Sequence, residues 1–238
     1  MAAEQEHAHG AAPGAGSQAG VLALIPAYNA WHLLTPVVVG AAQHLPVLVV
    51  DDGSTDDTAL AAERAGATVL RQTPNQGKGA ALRYGLRWAL ERGYTAVLTL
   101  DADGQHDPSE IPRFLDARAR TGADLIIGAR DFAAMPPVRR LANTLGGRAF
   151  SWGMRAPIRD NQSGYRLISQ RLAAAVLESD EAGFEFEVEM IMTCRERGYA
   201  LDWVPVRTIY GDERSHIQPL HHVVHFIRMV REARRRTR

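Results

Sequence analysis

Short apolar runs alternate with stretches of helical periodicity through the first 130 residues, and this alternation is what most constrains the fold. Five runs have the length and composition of buried strands: residues 21–25, 47–50, 68–70, 96–100 and 124–128. Strands that alternate with helices are joined by right-handed crossovers and make a mainly parallel sheet. Because the runs are apolar almost throughout, we expect helices to cover both faces of that sheet.

Helical periodicity and chain-breaking residues bound the other elements, and Pro26 should end the first strand. In the second half, a polar loop at 160–166 leads into a strand or a short helix, and residues 201–209 are extended. Residues 1–20 are rich in alanine and glycine without apolar periodicity, so we expect a disordered tail. The predicted helices cover residues 31–43, 56–66, 77–93, 108–121, 139–155, 184–197 and the stretch from Leu220.

The overall composition is that of one ordinary soluble domain. The chain has 238 residues, 46% of them hydrophobic, and its formal net charge of +0 does not predict a polyanionic partner. Cys194 is the single cysteine, which excludes an intramolecular disulfide and favours a reducing compartment. No apolar run reaches the ~18 residues that span a bilayer, and a signal-peptide pattern is absent. We therefore expect a cytoplasmic protein, peripheral at the inner face of the cell membrane.

Two carboxylates one residue apart follow the fourth apolar run. Residues i and i+2 of an extended chain point to the same side, so Asp101, Asp103 and Gln105 would offer oxygen ligands to one point. Mg²⁺ and Mn²⁺ take such ligands and keep positions for substrate phosphates. Ligands also bind at the carboxyl ends of strands in open α/β sheets. A plain turn explains the same residues, since Asp, Gly and Pro make turns for local reasons.

Polar residues also follow the first two strands. Tyr28 and Asn29 come after the first strand, and Asp51 and Asp52 come after the second. In a parallel sheet these groups share one edge with the carboxylates of the fourth strand. A nucleotide needs a stacking surface, carboxylates for its base or ribose, and a metal at its diphosphate, and the three groups would supply these in that order. Taken singly, each is also explained as a strand-end aromatic or a capped turn.

Lys78 lies in a glycine-rich helix start and is the only lysine of the chain. Glycines at a helix N-terminus can receive an anion, and a lysine adds a point charge there. The spacing of a P-loop is absent, so this is not that motif. A glycine-rich helix start without a ligand is the alternative.

The motifs together resemble glycosyltransferase family 2. The segments that carry the resemblance are residues 21–29, 50–56, 75–79, 101–106 and 164–166. More narrowly, residues 21–217 are similar to the branch that contains dolichyl-phosphate mannosyltransferases and bacterial polyprenyl-phosphate glycosyltransferases. The resemblance implies an α/β domain of the GT-A fold, a nucleotide-sugar donor, Mg²⁺ or Mn²⁺, a polyprenyl phosphate acceptor and inversion at the anomeric carbon.

The resemblance also implies roles for particular residues. Those that would bind the nucleotide sugar are Pro26, Tyr28, Asn29, Asp51, Asp52, Lys78, Asp101, Ala102, Arg207 and Arg214. Those that would hold the metal are Asp101, Asp103 and Gln105. Those that would face the acceptor phosphate are Arg130, Ser163, Arg166 and His216, and the catalytic set would be Asp101, Asp103, Arg130 and Arg166. Two positions depart from the family pattern, since Ala30 stands where a glutamate is usual and His216 where relatives carry lysine.

The kind of acceptor decides whether a base is needed. A polyprenyl phosphate is already an anionic nucleophile and needs arginines to approach an anionic donor. A hydroxyl acceptor would need a general base, for which Glu185 and Glu187 are the candidates. An ion pair or a solvated helix face is the alternative for these glutamates. A non-catalytic nucleotide-sugar-binding or membrane-associated module is the remaining hypothesis.

The last stretch, residues 218–238, is basic and amphipathic. Its apolar side chains repeat at helical spacing, and its arginines lie on the opposite face. Such a helix binds an anionic membrane surface, which suits a lipid acceptor. A helix packed on the domain with a solvated arginine tail is the alternative. Nucleic-acid binding is not expected, since no aromatic platform accompanies the arginines, and the oligomeric state is left open. The apolar face is Leu220, Val223, Ile227 and Val230, and the basic face is Arg228, Arg231 and Arg235.

Overall fold

A seven-stranded sheet forms the centre of the protein. The computed structural model describes residues 20–130, 137–178, 186–207 and 219–236. The strand order is β3-β2-β1-β4-β6-β5-β7. The strands are β1 (Val21–Ala27), β2 (Val47–Asp51), β3 (Thr68–Arg71), β4 (Ala96–Thr99), β5 (Leu125–Arg130), β6 (Arg166–Ser169) and β7 (Leu201–Val206).

Most of the strand pairs are parallel, as the alternation of strands and helices predicts. β1 pairs with β2 and β4, β2 with β3, and β5 with β7, all in parallel. β6 is antiparallel to both of its neighbours, β4 and β5. The sequence left open whether a strand or a short helix follows the loop at 160–166. The structure has both, since β6 is followed directly by a helix.

Eight α-helices surround the sheet within the residues described. They are α1 (Trp31–Ala42), α2 (Thr58–Arg64), α3 (Lys78–Glu91), α4 (Ile111–Thr121), α5 (Pro137–Met154), α6 (Gln170–Glu178), α7 (Phe186–Glu196) and α8 (Pro219–Arg236), with a 3-10 turn at Pro108–Glu110. Alternate residues of β1 belong to two different clusters of buried side chains. Leu22 and Leu24 pack with α3, and Ala23 and Ile25 pack with α1. The expectation of a sheet covered on both faces is therefore confirmed.

The first strand continues through Pro26 to Ala27, which corrects the expectation that it ends at the proline. The N–H of Ala23 and the carbonyl of Ala27 form hydrogen bonds on the side of β2. Because successive residues of a strand direct their backbone groups to alternate sides, the nitrogen of Pro26 faces the side of β4. The pairing of β1 with β4 ends at Leu24 opposite Thr99. A proline nitrogen that faces no strand partner removes no ladder hydrogen bond, and the strand therefore tolerates it.

The helix α8 packs on α5 and α7 through the side chains that the structure describes. Val230 and Ala233 are buried, and the backbone of Gly153 in α5 runs so close that an added Cβ would lie 2.9 Å from the carbonyl of Val230. Arg236 pairs with Glu189 and Glu196 of α7. The side chains of Leu220, Val223 and Ile227 lie outside the described set, as does the tail at 1–19.

Within the described segments, no helix combines the length and the apolar character that crossing a membrane requires.

Candidate functional site

A cleft of about 620 Å³ opens at the carboxyl edge of the sheet. The segments that follow β1, β2 and β4 border it, together with the N-terminus of α3, so the predicted convergence of the three polar groups at one edge is what the structure shows. Tyr28 stands at the rim with 52% of its surface exposed. The cleft is lined by Pro26, Ala27, Tyr28, Asn29, Ala30, Leu33, Asp52, Asn75, Gly77, Lys78, Ala81, Asp101, Ala102 and Asp103.

The loop after β1 is held by the loop after β2. Asn29 adopts a positive φ of 49°, which asparagine tolerates better than most residues. Its backbone N–H donates to Ser54 Oγ at 2.9 Å, and its Oδ1 accepts from the N–H of Thr55 at 2.9 Å. The N–H of Ala30 donates to Thr58 Oγ1 at 2.8 Å. These bonds fix the rim of the cleft from which Tyr28 projects.

Asp52 organises the segment that leads into α3. Its Oδ1 accepts from Gln72 Nε2 at 3.0 Å and from the N–H of Gln76 at 2.9 Å, while Oδ2 accepts from the N–H of Gly77 at 2.7 Å. The carboxylate is buried although it borders the cleft. A carboxylate that accepts three hydrogen bonds from one loop holds that loop in a single arrangement.

Asp51 is placed differently from the prediction. It is the last residue of β2, with 5% of its surface exposed, and its Oδ1 accepts from the N–H of Ser54 at 3.0 Å. Asp51 therefore caps the turn beneath the cleft. Neighbouring residues of a strand point to opposite sides, so only Asp52 of the two borders the cleft.

Lys78 binds two carboxylates at the floor of the cleft. Its Nζ lies 2.6 Å from Asp101 Oδ1 and 2.9 Å from Glu187 Oε1. Burial alone would raise the pKa of Asp101, but the charge of Lys78 and its hydrogen bond to the carboxylate, together with the charge of Arg166, outweigh it and hold that pKa below its ordinary value. Burial would lower the pKa of Lys78, and the two carboxylates reverse this, so the pKa is raised. Both groups are therefore charged at neutral pH.

The loop before β6 closes over this ion pair. A Cβ added to Gly164 would lie 2.7 Å from Asp101 Oδ2 and 3.1 Å from Lys78 Nζ. The carbonyl of Gly164 accepts from Thr99 Oγ1 at 2.7 Å, which ties the loop to the end of β4. Only a residue without a side chain allows the backbone to approach the pair this closely.

Asp103 and Gln105 belong to a tight turn after Asp101. Asp103 borders the cleft, and its Oδ1 accepts from the N–H of Gln105 at 2.9 Å. The N–H of Asp101 donates to His106 Nδ1 at 3.0 Å, and the ring of His106 stacks on Tyr165 at 5.0 Å between centroids. Burial lowers the pKa of His106, which keeps the imidazole neutral with Nδ1 as an acceptor. Sequence reasoning assigned no role to His106, although it follows Gln105 directly.

The cleft carboxylates suit a divalent cation in charge and in ligand type. The charged side chains that line the cleft are three carboxylates and one ammonium group, so three negative charges less one positive charge leave a net charge of −2. They are Asp52, Asp101, Asp103 and Lys78. Hard cations prefer such oxygen ligands. Among the described residues, however, no three His, Cys, Asp or Glu side chains form a ready-made metal cluster. Asp103 therefore fits the predicted ligand role, and Asp101 fits it only in competition with Lys78.

Arg166, which the family resemblance places at the acceptor, is entirely buried in the structure. Its Nε donates to the carbonyl of Ser163 at 2.7 Å, its Nη2 to the carbonyl of Asn161 at 3.0 Å, and its Nη1 to the carbonyl of Glu187. Arg166 thus fastens the loop at 160–164 to the start of α7. Ser163 is buried in the same loop, with 2% of its surface exposed.

Arg130, at the end of β5, forms a bidentate ion pair with Asp160. Its Nε and Nη2 lie 2.7 and 3.0 Å from the two carboxylate oxygens. Asp160 is buried and also accepts from the N–H groups of Gln162 and Ser163. Sequence reasoning missed Asp160, for which the only signal was its position at the start of the polar loop.

The remaining predicted residues lie at or beyond the limits of the described segments. Arg207 is exposed, and its N–H donates to the carboxylate of Glu110. Arg214, His216 and Glu185 lie outside the described residues.

Comparison with known proteins identifies the family. Residues 23–172 match the sequence model of a protein family described as glycosyl transferase family 2. The chain belongs to glycosyl transferase family 2. It is 36% identical over 202 residues to a polyprenol monophosphomannose synthase of Mycolicibacterium smegmatis, a match that covers 78% of this chain and 76% of the relative. It is also 36% identical over 202 residues to an undecaprenyl-phosphate mannosyltransferase of Micrococcus luteus, covering 78% and 82%. The membership that the motifs predict is confirmed.

Solved structures of low sequence identity share the fold. A glucosyl-3-phosphoglycerate synthase of Mycobacterium tuberculosis in complex with phosphoglyceric acid superimposes with a TM-score of 0.67 at 20% identity, covering 91% of this chain and 79% of that one. The same enzyme in complex with Mn²⁺, UDP and glucosyl-3-phosphoglycerate gives 0.65 at 22% identity, covering 90% and 77%. The GT-A fold is therefore confirmed, and this member of the family is a glycosyltransferase.

Proposed function

We propose that this protein transfers a hexose from a nucleotide sugar to a polyprenyl phosphate, with inversion at the anomeric carbon. The observation that carries the proposal is the 36% identity to two relatives whose names state mannosyl transfer to polyprenol monophosphate or undecaprenyl phosphate. Mannose is accordingly the first sugar to test, and glucose the second.

The cleft supplies what a nucleotide-sugar donor requires. Tyr28 offers an exposed ring at the rim, and Asp103 offers a carboxylate at the floor. We assign Asp103, with Asp101 and Gln105, to a Mg²⁺ or Mn²⁺ ion, which when bound neutralises charge on the leaving nucleoside diphosphate. A solved structure of the same fold was obtained with Mn²⁺ and UDP, which supports the assignment.

The contacts of Glu187 favour a phosphate acceptor over a hydroxyl acceptor. A general base must be available to take a proton from the acceptor hydroxyl. Glu187 instead holds the ammonium of Lys78 at 2.9 Å, with only 14% of its side chain exposed. A phosphate acceptor is already anionic and needs no general base, so the ion pair of Glu187 with Lys78 does not hinder sugar transfer to it.

The basic side of α8 is proposed to face the membrane that holds the lipid acceptor. Arg228, Arg231 and Arg235 are exposed, and they follow one another at helical spacing. On α5, which packs against α8, Trp152 is 61% exposed, and the guanidinium of Arg234 lies 4.5 Å from the centre of its ring. Aromatic and cationic side chains together are typical of proteins at a membrane interface. The location at the inner face of the cell membrane remains a proposal on the same grounds.

The decisive experiment measures labelled sugar transferred into an organic-extractable lipid. Purified protein is incubated with a polyprenyl phosphate, Mn²⁺ or Mg²⁺, and either GDP-mannose or UDP-glucose. We expect metal-dependent transfer that Asp103→Asn reduces by ~100-fold or more, the scale of losing one electrostatic contact to the transition state. Glu187→Gln should retain at least about a tenth of the activity, because we assign it no proton transfer.

The same assay distinguishes the alternatives. A loss in Glu187→Gln as large as that in Asp103→Asn would favour a hydroxyl acceptor and a base role for this residue. Binding of the nucleotide sugar without any transfer would contradict the proposal and favour a binding module. The exposed Arg87→Met variant, on α3 but outside the cleft, is the control for handling and folding.

A further inference from the structure

Lys78 lines the cleft and lies between carboxylates from two different elements. Its single ammonium group is shared by Asp101, in the segment that follows β4, and Glu187, in the first turn of α7. The other 26 cationic side chains of the protein are arginines. An ammonium is a compact point charge with three donors and can bridge two carboxylates, whereas a guanidinium presents a flat fork.

The contact between Lys78 and Asp101 uses an oxygen that a divalent cation also needs. Nζ lies 2.6 Å from Asp101 Oδ1, and the other carboxylate oxygen faces Gly164. Two positive charges brought to one carboxylate repel each other, and the repulsion is large at such short distances in a half-buried site. The ammonium must therefore give up Asp101, at least in part, before that carboxylate can ligate a cation.

We propose that Lys78 is a resident counter-cation of the cleft that competes with the divalent cation for Asp101. The inference rests on the proposed function, since it takes Asp101 and Asp103 as ligands of Mg²⁺ or Mn²⁺. Glu187 is the second partner of Lys78. Its contact of 2.9 Å retains the ammonium in the cleft when Asp101 binds the divalent cation. Lys78 then remains beside the cation with a charge that is no longer neutralised by Asp101, which favours a diphosphate there.

The experiment measures Mn²⁺ binding to the full chain without substrate, from the electron paramagnetic resonance signal of free Mn²⁺. Lys78→Met removes the competing charge and should bind Mn²⁺ at least about fivefold more tightly than the wild type. Arg87→Met removes one positive charge from an exposed position of the same helix and should stay within about twofold. Introduced into an Asp101→Asn background, Lys78→Met should give a clearly smaller gain, because only the direct repulsion between the ammonium and the cation is then removed.

The outcomes separate this inference from the proposed function. Wild-type binding of Mn²⁺ that Lys78→Met leaves unchanged or weakens overturns the inference alone, as does an equal gain in the Asp101→Asn background. An absence of Mn²⁺ binding in both proteins overturns the inference and also the metal dependence of the proposed function. If Lys78→Met is recovered unfolded, Lys78→Gln carries the same expectation, because it loses the charge and keeps an N–H donor for Asp101.

Discussion

At the scale of single residues, the geometry of the cleft depends on how closely the backbone at Gly164 approaches the ion pair of Asp101 and Lys78. Gly164 lies against the carboxylate of Asp101 and the ammonium of Lys78, and its own carbonyl is held by Thr99. The glycine is part of a motif that the sequence displays. What the sequence could not show is that its role is to make room for an ion pair from two other elements.

Gly164→Ala should displace Asp101 and reduce sugar transfer by at least tenfold, with a small loss of stability. The added Cβ would approach a carboxylate oxygen to 2.7 Å, a separation that the side chain can relieve only by moving. Transfer activity and the midpoint of thermal unfolding are measured together. Gly147→Ala in α5 is the matched control, since its Cβ would meet nothing within 4 Å and a helical alanine is favoured over glycine by ~1 kcal/mol. Full activity in Gly164→Ala would contradict this role.

Two residues with predicted ligand roles make other contacts in the structure. Asp51 and Arg166 have the chemistry of ligands, and both occur in motifs, yet one caps a turn and the other binds backbone carbonyls. Which of two neighbouring carboxylates faces a cleft depends on the strand register. Whether an arginine is buried depends on which loops converge on it, and neither property is local in the sequence.

At the scale of elements, α7 and α8 are joined by an ion pair that the apolar pattern does not reveal. Arg236 donates to Glu189 at 2.9 and 3.1 Å, and the side chain of Glu189 is only 1% exposed. The amphipathic pattern predicts a helix near the end of the chain, where α8 lies. It could not decide whether lipid or protein covers the apolar side, and at Val230 and Ala233 the cover is protein.

Arg236→Met should lower the free energy of unfolding by about 3 kcal/mol, because it leaves Glu189 buried without this partner. Chemical denaturation at neutral pH measures the change. Arg235→Met is the control, since Arg235 is 80% exposed and pairs only at 3.5 Å with Glu232, a contact of the kind worth ~0.5 kcal/mol or less. Equal effects of the two substitutions would show that the buried pair is not what holds α8 in place.

At the scale of the whole molecule, charges are distributed unevenly although they sum to zero. Binding to vesicles should therefore need an anionic lipid. Each arginine near such a surface contributes ~1 kcal/mol, so Arg228, Arg231 and Arg235 changed together to glutamine should weaken binding by roughly 100-fold. Cosedimentation with phosphatidylglycerol and with phosphatidylcholine vesicles measures it. The matched triple variant changes the exposed Arg64, Arg87 and Arg120. Equal weakening by both triples would point to general charge rather than to this face.

The stability of the whole fold should also depend on pH through the groups beneath the cleft. Burial lowers the pKa of His106, so the unfolded chain takes up a proton first as the pH falls. The free energy of unfolding should therefore decrease as the pH falls below about 6.5, the ordinary value. A further decrease should follow below about 4, where the unfolded chain takes up a proton at Asp101 while the folded state, in which this pKa is lowered, still holds the carboxylate charged.

Denaturation curves between about pH 8 and about pH 3 measure both decreases. His106→Asn, which keeps an acceptor for the N–H of Asp101, should flatten the first decrease, and a substitution of the exposed His32 should not. An unchanged slope in His106→Asn would assign the first decrease to other groups.

Much of the architecture could be predicted from the sequence, because apolar runs and their turns are local signals. The alternation gave a covered, mainly parallel sheet, and the strand-end residues gave the edge at which the cleft opens. The position of β6 in the sheet could not be predicted, because the sequence of its four residues, Arg166–Ser169, does not indicate which strands they pair with. The arrangement of Lys78, Asp101 and Glu187 was missed for the same reason, as Glu187 lies more than 80 residues from either partner.

The place of β6 in the sheet also determines the order in which the strands can pair during synthesis. β3, β2, β1 and β4 are neighbours and have all been made once residue 99 has left the ribosome. β5 pairs only with β6 and β7, both of which are synthesised later. During translation the half of the sheet that borders the cleft can assemble early, while β5 waits as an unpaired apolar strand, the kind of segment that nascent chains must shield from aggregation.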